Sequence, residues 1–315
     1  MRILLLAPDE RDLLGGLLRG AAPGVEVVRP VTRSRDELRA LLPDVDIVVG
    51  DWSGRLPLGA AEAEIGGHLR LLQQPGVGVN WIDVEAWRRA GVPVANTPGA
   101  NAASVAEWAV VATASLSRSM GWAHDRLRAG EWPQEQILDH GCRDLGERRV
   151  GIVGFGDIGR RCAGLFAAFG CEVAYTARRP RSDAPARYLP FDDLLAVSDV
   201  LVLAVPLMPS TRGMIGASEL ARLPEEAIVV NVARGPVVRT DALVAGLRSG
   251  RLGGAALDVF DHEPPAADSE LRRLDRVLLS PHVAGGSATA RRRIYEMTAA
   301  NVARVCHGAA PRWTL

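Results

Sequence analysis

The feature of this sequence that most constrains its fold is a glycine-rich turn between a predicted strand and a predicted helix. Gly154, Gly156 and Gly159 form the run G-F-G-D-I-G directly after the apolar segment RVGIV. Apolar residues then recur at helical spacing from Ile158 to Phe169. In this context the glycines permit a tight turn, close approach of a pyrophosphate to the backbone, and close packing of helix and strand. The segment therefore predicts a parallel α/β sheet whose first turn binds the phosphates of a dinucleotide.

Strands alternate with helices in both halves of the 315-residue chain, which favours two parallel-sheet domains. The first series comprises RILLLAP, VEVVRP, VDIVVGD and GVPVANTPGA, and a long helix is predicted from Ala102 to Met120. The second series has six strands, in RRVGIVGFG, CEVAYT, DVLVLAVP, AIVVNVA, GAALDVF and RVLLSPH. We predict an α/β fold with two doubly wound parallel-sheet domains: a Rossmann dinucleotide-binding domain at residues 101–285, and a smaller flavodoxin-like substrate domain at residues 1–100 and 286–315.

Composition excludes several classes of function. The chain has no lysine, so all 37 basic residues are arginine, and 37 acidic residues balance them. The lack of lysine excludes Schiff-base catalysis and a P-loop, and zero net charge gives no basic field for nucleic acid or an anionic membrane. No apolar run approaches the roughly 20 residues that a bilayer requires. The four cysteines lack metal-ligand spacing, and the N-terminal segment lacks a signal-peptide pattern, which predicts a cytoplasmic protein with free thiols and no metal site.

The segment after the next predicted strand, YTARRPR, lacks the acid that usually binds the ribose of NAD. Ala177 stands eighteen residues past Gly159, at the place of that acid. An acid there would repel a 2′-phosphate, so its absence beside Arg178, Arg179 and Arg181 favours NADP, with NAD possible. The alternative is an arginine-rich surface turn, because this chain uses arginine for every positive side chain. Arg178, with Arg179 beside it, is the predicted phosphate ligand.

Three reactive side chains follow predicted strands of the second domain. Arg234 lies in NVARGPVV, Glu263 in ALDVFDHEPP and His282 in LLSPHVAGG. Because loops at the carboxyl ends of the strands converge on the cofactor crevice of a doubly wound sheet, we expect these side chains to meet there. Each alone has a more ordinary interpretation, as a surface charge or a capped loop residue. Together they are suited to the reduction of a 2-keto acid.

The order and spacing of these motifs resemble the D-isomer-specific 2-hydroxyacid dehydrogenase family over nearly the whole chain. The matching stretches are PGVGVNWIDVEAWRRAGVPVANTPGANAASVAEWAV, VGIVGFGDIG, LAVPLMPSTRGMI, NVARGPVV, ALDVFDHEPP and SPHVAGG. YTARRPR is similar to the NADP-using glyoxylate and hydroxypyruvate reductase branch. The resemblance implies an NADP-preferring reductase of small 2-keto acids, active as a homodimer, with substrate bound in a cleft between the domains.

The resemblance also implies roles for individual residues. Arg234 would bind the substrate carboxylate through a two-pronged hydrogen bond, His282 would donate a proton to the keto oxygen, and Glu263 would orient the imidazole and favour its protonated form. Backbone N–H groups near Val77 and Gly78 would complete the carboxylate site. The implied cofactor-binding residues are Gly154, Phe155, Gly156, Asp157, Ile158, Gly159, Arg178, Arg179, Val205, Pro206, Thr211, Val232, Ala233, Asp258 (facing the nicotinamide carboxamide), His282 and Gly285.

Some positions depart from the expected pattern. Asp157 would repel phosphate unless it caps its helix outward. Asn80-Trp81 stands where the family often has Asp-Asn, and Trp52 lies in another loop that could face substrate. Large rings there could stack on an aromatic substrate or exclude bulk, although buried tryptophans more often belong to the core. The sequence leaves the size of the substrate open.

Two alternatives remain at this point. The first is a catalytically silent, dinucleotide-sensing scaffold of the same fold, and the intact set of Arg234, Glu263 and His282 argues against it. The second is a relative that oxidises formate or phosphite in the same cofactor cleft. Formate enzymes of the family typically have glutamine at the position of Glu263.

Overall fold

Two sheets, each made only of parallel strands, organise the fold. The computed structural model describes residues 1–9, 11–139 and 142–315. The chain divides into two compact units, the first formed by Met1–Asn101 with Ala288–Leu315, and the second by Ala102–Ser287. The predicted fold class, α/β with two parallel sheets, is confirmed.

The first unit has five strands in the order β2-β1-β3-β4-β5, which is the strand order of flavodoxin-like sheets. Its strands are β1 (Arg2–Leu5), β2 (Glu26–Val28), β3 (Ile47–Val49), β4 (Leu71–Gln73) and β5 (Val94–Ala95), and its helices before residue 102 are α1 (Leu13–Ala21), α2 (Arg35–Leu41), α3 (Ala60–Ile65) and α4 (Val84–Arg89). Sequence reasoning missed β4, because this short strand ends in Gln73 and is followed by Gln74, so it forms no longer apolar segment.

The second unit has seven strands in the order β12-β11-β10-β9-β6-β7-β8. The strands are β6 (Arg149–Val153), β7 (Glu172–Thr176), β8 (Arg187–Tyr188), β9 (Val200–Leu203), β10 (Ala227–Asn231), β11 (Leu252–Leu257) and β12 (Val277–Leu279). The six predicted strands are all present. The seventh, β8, is a two-residue strand at the edge of the sheet that the sequence did not reveal.

The second unit also contains helices. They are α5 (Ala102–Ser117), α6 (Met120–Arg128), α7 (Gln136–Asp139), α8 (Asp157–Ala168), α9 (Phe191–Val197), α10 (Ala217–Arg222) and α11 (Thr240–Arg248). Of these, α5, α8, α9 and α11 contact the sheet of this unit. Every residue of β9 is fully buried, as expected for a parallel strand covered on both faces. The helix predicted from Ala102 to Met120 was too long: it ends at Ser117, because Ser119 adopts a left-handed conformation (φ 48°), and α6 begins after it.

The predicted helical tail is α12 (Ala288–Cys306), which belongs to the first unit and packs against α1 and β4. Tyr295, Ala299 and Val302 of this helix share a core with Leu5 and Leu18. Among the described residues, no helix combines the length and the apolar composition that crossing a membrane requires.

Candidate active site

The glycine-rich turn has the geometry that a bound pyrophosphate requires. Gly154 has φ +95°, and a Cβ there would lie 2.6 Å from the carbonyl oxygen of Ala204; a Cβ on Gly159 would lie 2.1 Å from the carbonyl oxygen of Gly154. Around the Cβ position of Gly156, in contrast, no other atom lies within 4 Å. Gly156 is the N-cap of α8, so the turn offers open space beside the N–H groups of a helix N-terminus. The residues present therefore fit a dinucleotide.

Asp157 remains the discordant residue of this turn. It is the first residue of α8 and is exposed, while Gly156 is the N-cap and no side chain caps the helix. The outward cap that would reconcile an acid with a neighbouring phosphate is therefore not formed.

The arginine segment follows β7 directly, beside the glycine-rich turn. The N–H of Gly154 donates to the carbonyl of Thr176, the last residue of β7, at 2.9 Å, so Ala177 lies next to the turn. Arg178, Arg179 and Arg181 are exposed. Asp183 forms an ion pair with Arg160 and lies within electrostatic reach of Arg181. Within the described part of the chain, no ion pair joins Arg178 or Arg179 to a carboxylate.

Arg234 is held by the turn after β10. The side-chain amide of Asn231, which is 1% exposed, accepts the N–H of Ala233 at 3.0 Å and donates to the carbonyl of Arg234 at 3.1 Å. The Arg234 guanidinium donates to the carbonyl of Ala233 at 2.6 Å. Burial lowers the pKa of Arg234, and the charge of Glu263 opposes that effect. Sequence reasoning missed Asn231; its signal is a single amide at the end of an apolar strand.

Glu263 and His282 form the central pair of the site. Oε2 of Glu263 lies 2.7 Å from Nδ1 of His282, and its Oε1 accepts the N–H of Phe260 at 3.0 Å. Burial raises the pKa of Glu263, but hydrogen bonds from His282 and Phe260 and the charge of Arg234 bring it below its ordinary value. Glu263 is therefore an ionised acceptor, so Nδ1 carries a proton. Nε2 is left as the ring nitrogen that can exchange a proton with substrate.

Asp258 holds the loop that carries His282. Its side chain is 2% exposed and accepts the hydroxyl of Ser280 and the N–H groups of Val283 (2.7 Å) and Ala284 (2.9 Å), while its carbonyl accepts the N–H of His282 at 2.8 Å. Burial raises the pKa of Asp258, and these hydrogen bonds oppose the rise. They hold His282 in a left-handed conformation (φ 56°), which costs a non-glycine residue about 1–3 kcal/mol.

The Arg234 turn and the Glu263 loop are in direct backbone contact. A Cβ added to Gly235 would lie 1.9 Å from the carbonyl carbon of Phe260 and 2.3 Å from the nitrogen of Asp261. Only glycine permits this approach, which brings the guanidinium of Arg234 within electrostatic reach of Glu263.

We expect Gly235→Ala to lower both stability and activity. The extra methyl group must displace the backbone of Phe260, which binds Glu263, at a cost of about 1–3 kcal/mol. A displacement near 1 Å is expected to lower kcat about 100-fold. Thermal unfolding and steady-state kinetics measure the two effects. Gly164→Ala in α8 is the matched control, since its Cβ would meet no neighbour within 4 Å; equal behaviour of the two variants would contradict the argument.

The remaining predicted cofactor residues follow strands of the same sheet. Val205, Pro206 and Thr211 follow β9, and Val232 and Ala233 follow β10. The hydroxyl of Thr211 donates to the carbonyl of Pro206 at 2.7 Å and accepts the N–H of Met208 at 2.8 Å, which closes the turn.

Phe155 and Ile158 pack into the core beneath the glycine-rich turn, and Gly285 follows the Asp258-bound loop. Their contacts with a cofactor stay predictions.

Val77 and Gly78 belong to the first unit, in the loop after β4. The side-chain amide of Asn96 donates to the carbonyl of Val77 at 2.9 Å, which supports this loop. The Trp81 ring lies against Gly54, whose Cβ would be 3.2 Å from Cε3 of the ring. Trp52 is 47% exposed, so its ring is not part of the core.

Comparison with known proteins gave three kinds of match. Residues 110–284 match the family described as D-isomer specific 2-hydroxyacid dehydrogenase, NAD binding domain. A hydroxypyruvate reductase of Thermotoga maritima is 36% identical over 265 residues, which are 82% of this chain and 84% of that protein. A glyoxylate reductase structure from Paecilomyes thermophila has a TM-score of 0.90 at 26% identity, covering 100% of this chain and 98% of the other. An NAD-dependent formate dehydrogenase of Staphylococcus aureus, in complex with NAD, has a TM-score of 0.84 at 27% identity, covering 97% and 95%.

Proposed function

Because the chain belongs to the D-isomer-specific 2-hydroxyacid dehydrogenase family, we propose that it reduces glyoxylate, hydroxypyruvate or a similar small 2-keto acid with NADPH, giving the D isomer where the product is chiral. As a member of that family it is an oxidoreductase that binds a nicotinamide dinucleotide and reduces 2-keto acids. The observation that carries the proposal is the 2.7 Å contact between Oε2 of Glu263 and Nδ1 of His282, with the charge of Arg234 within electrostatic reach of Glu263.

Each member of this set has a distinct task in the proposed reduction. A reduced nicotinamide cofactor, held by the glycine-rich turn, would supply the hydride for the keto carbon. Arg234 binds the substrate carboxylate by charge-assisted hydrogen bonds and so fixes the position of the keto group. Nε2 of His282 donates its proton to the keto oxygen as negative charge develops there. Glu263 stabilises the imidazolium before the transfer and holds the ring in place afterwards.

This site has Glu263 where the formate enzymes typically have glutamine. A carboxylate bound to His282 stabilises the imidazolium that donates a proton to a keto oxygen, whereas removal of a hydride from formate needs no such proton donor. Formate and phosphite are therefore negative controls in our proposal. A silent scaffold would have no need of a left-handed histidine held by four hydrogen bonds around it.

We expect kcat/KM for reduction to be at least about tenfold higher with NADPH than with NADH. Arg178 and Arg179 are exposed and without carboxylate partners among the described residues, and a charge-assisted hydrogen bond to the 2′-phosphate contributes about 1.5–3 kcal/mol. A panel of 2-keto acids assayed with each cofactor measures this preference and the substrate class together.

Each part of the proposal has its own contrary result in this panel. Equal or reversed use of NADH would reject the phosphate site while leaving the reaction intact. Activity confined to large aromatic 2-keto acids would replace the glyoxylate and hydroxypyruvate assignment.

The remaining expectations belong to the same proposal. Backbone N–H groups of Val77 and Gly78 would bind the substrate carboxylate, and Asp258 would receive the nicotinamide carboxamide. We also propose that the protein is a cytoplasmic homodimer. Exposed apolar side chains support association between copies: Leu127 of α6, Leu138 of α7 and Trp132 between these helices are 55–76% exposed.

A further inference from the structure

The segment that carries the arginines is closed into a loop by one buried side chain. It leaves the sheet after Thr176, and at Arg181 it returns to the hydroxyl of Tyr175 on the same strand. This hydroxyl accepts the N–H of Arg181 at 2.8 Å and donates to its carbonyl at 3.4 Å. One side chain thus binds both backbone polar groups of Arg181, and Arg178 and Arg179 lie inside the closed loop.

The same side chain connects this loop to the glycine-rich turn. Tyr175 is 1% exposed, and its ring stacks on that of Phe155 with centroids 3.8 Å apart and an interplanar angle of 22°. Tyr188 meets it edge-on, with ring centroids 5.6 Å apart. The aromatic ring is therefore held in the core beneath the turn, and the hydroxyl reaches out to the arginine loop.

A second contact holds the far end of the loop. Arg160, in the first turns of α8, forms an ion pair with Asp183 at 2.9 Å. Both groups are substantially exposed, so this pair contributes little on its own. Pro180 further restricts the backbone directly before Arg181.

From these contacts we infer that Tyr175 is a positioning residue of the 2′-phosphate site. Its hydroxyl pre-orders the loop, so that Arg178 and Arg179 bind the phosphate without first losing loop entropy. The inference rests on the proposed preference for NADPH. It adds that the preference depends on a phenol whose ring is buried in the core.

The test is Tyr175→Phe, which keeps the ring stack and removes only the hydroxyl. Affinities of the full-length protein for NADPH, NADH, adenosine 2′,5′-bisphosphate and AMP are measured by calorimetry, and folding by thermal unfolding. We expect affinity for the two 2′-phosphorylated ligands to fall roughly three- to tenfold, as for one hydrogen bond, and affinity for NADH and AMP to stay the same. Tyr188→Phe removes a hydroxyl from the neighbouring ring and leaves the bonds to Arg181 in place, so it is expected to behave as wild type.

The contrary outcomes separate this inference from the proposed function. If the wild type binds NADPH no more tightly than NADH, the cofactor preference itself is wrong. If the wild type prefers NADPH and Tyr175→Phe keeps the whole preference, the positioning role alone is overturned. Equal weakening of all four ligands, with a lower Tm, would also overturn it, because the hydroxyl would then act only on the stability of the core.

Discussion

Replacing His282 with asparagine lowers kcat for 2-keto acid reduction by about 10²- to 10⁴-fold, a far larger effect than it has on the affinity for NADPH. Loss of a positioned general acid has an effect of this size. Asparagine is the informative substitution, because it tolerates the left-handed backbone (φ 56°) that His282 adopts, whereas other side chains add strain. Steady-state kinetics and a binding titration with NADPH measure the two quantities separately.

Glu263→Gln is the companion variant. It keeps the side-chain shape but offers Nδ1 of His282 a neutral partner, so imidazolium is no longer stabilised by a full charge. We expect it to lose less kcat than His282→Asn, and the double variant to lose about as much as His282→Asn alone, because the residues act as a unit. Unchanged turnover in His282→Asn, on every 2-keto acid tried, would reject the proton-donor role and favour the silent scaffold.

Replacing Arg234 with lysine lowers kcat/KM by about 10- to 100-fold and does not behave as a conservative change. An ammonium group keeps the charge but cannot reproduce the planar fork that binds both oxygens of a carboxylate, and the lost charge-assisted hydrogen bond accounts for about 1.5–3 kcal/mol. Lysine also lacks the geometry with which the guanidinium binds the carbonyl of Ala233.

Two measurements complete the Arg234 test. Arg234→Gln removes the charge as well and is expected to lose more activity than Arg234→Lys. Arg239→Lys is the matched control, since that arginine is exposed and pairs with Asp241 at the surface. Near-normal kcat/KM in Arg234→Lys would show that the carboxylate is bound elsewhere.

Much of the fold was predictable because its signals are local. The glycine-rich turn, the apolar strands and the reactive residues at their ends all lie in short segments, and the topology of a parallel sheet brings such ends together. β4 was not predicted because Gln73 is a polar residue at a buried position, where its side chain accepts a hydrogen bond from the distant Asn301. β8 was not predicted because a strand of two residues is too short to show a periodic pattern of apolar residues.

The site shows a similar limit. Arg234, Glu263 and His282 are recognisable as reactive side chains, but the left-handed backbone of His282 depends on the buried Asp258 more than twenty residues earlier. Asn231 and Tyr175 carry no reactive group. Their roles depend on where a turn or loop folds back, which is decided by packing and not by local residue preference.

The helix α12 has a consequence for how the protein is made. Its apolar residues cover Ile3, Leu5 and Leu14, yet it is synthesised only after the whole second unit. At about 5–20 residues per second, that surface stays uncovered for on the order of ten to fifty seconds, while the whole second unit emerges and can fold. Nascent chains of this protein therefore expose an apolar surface of the first unit until α12 has been synthesised.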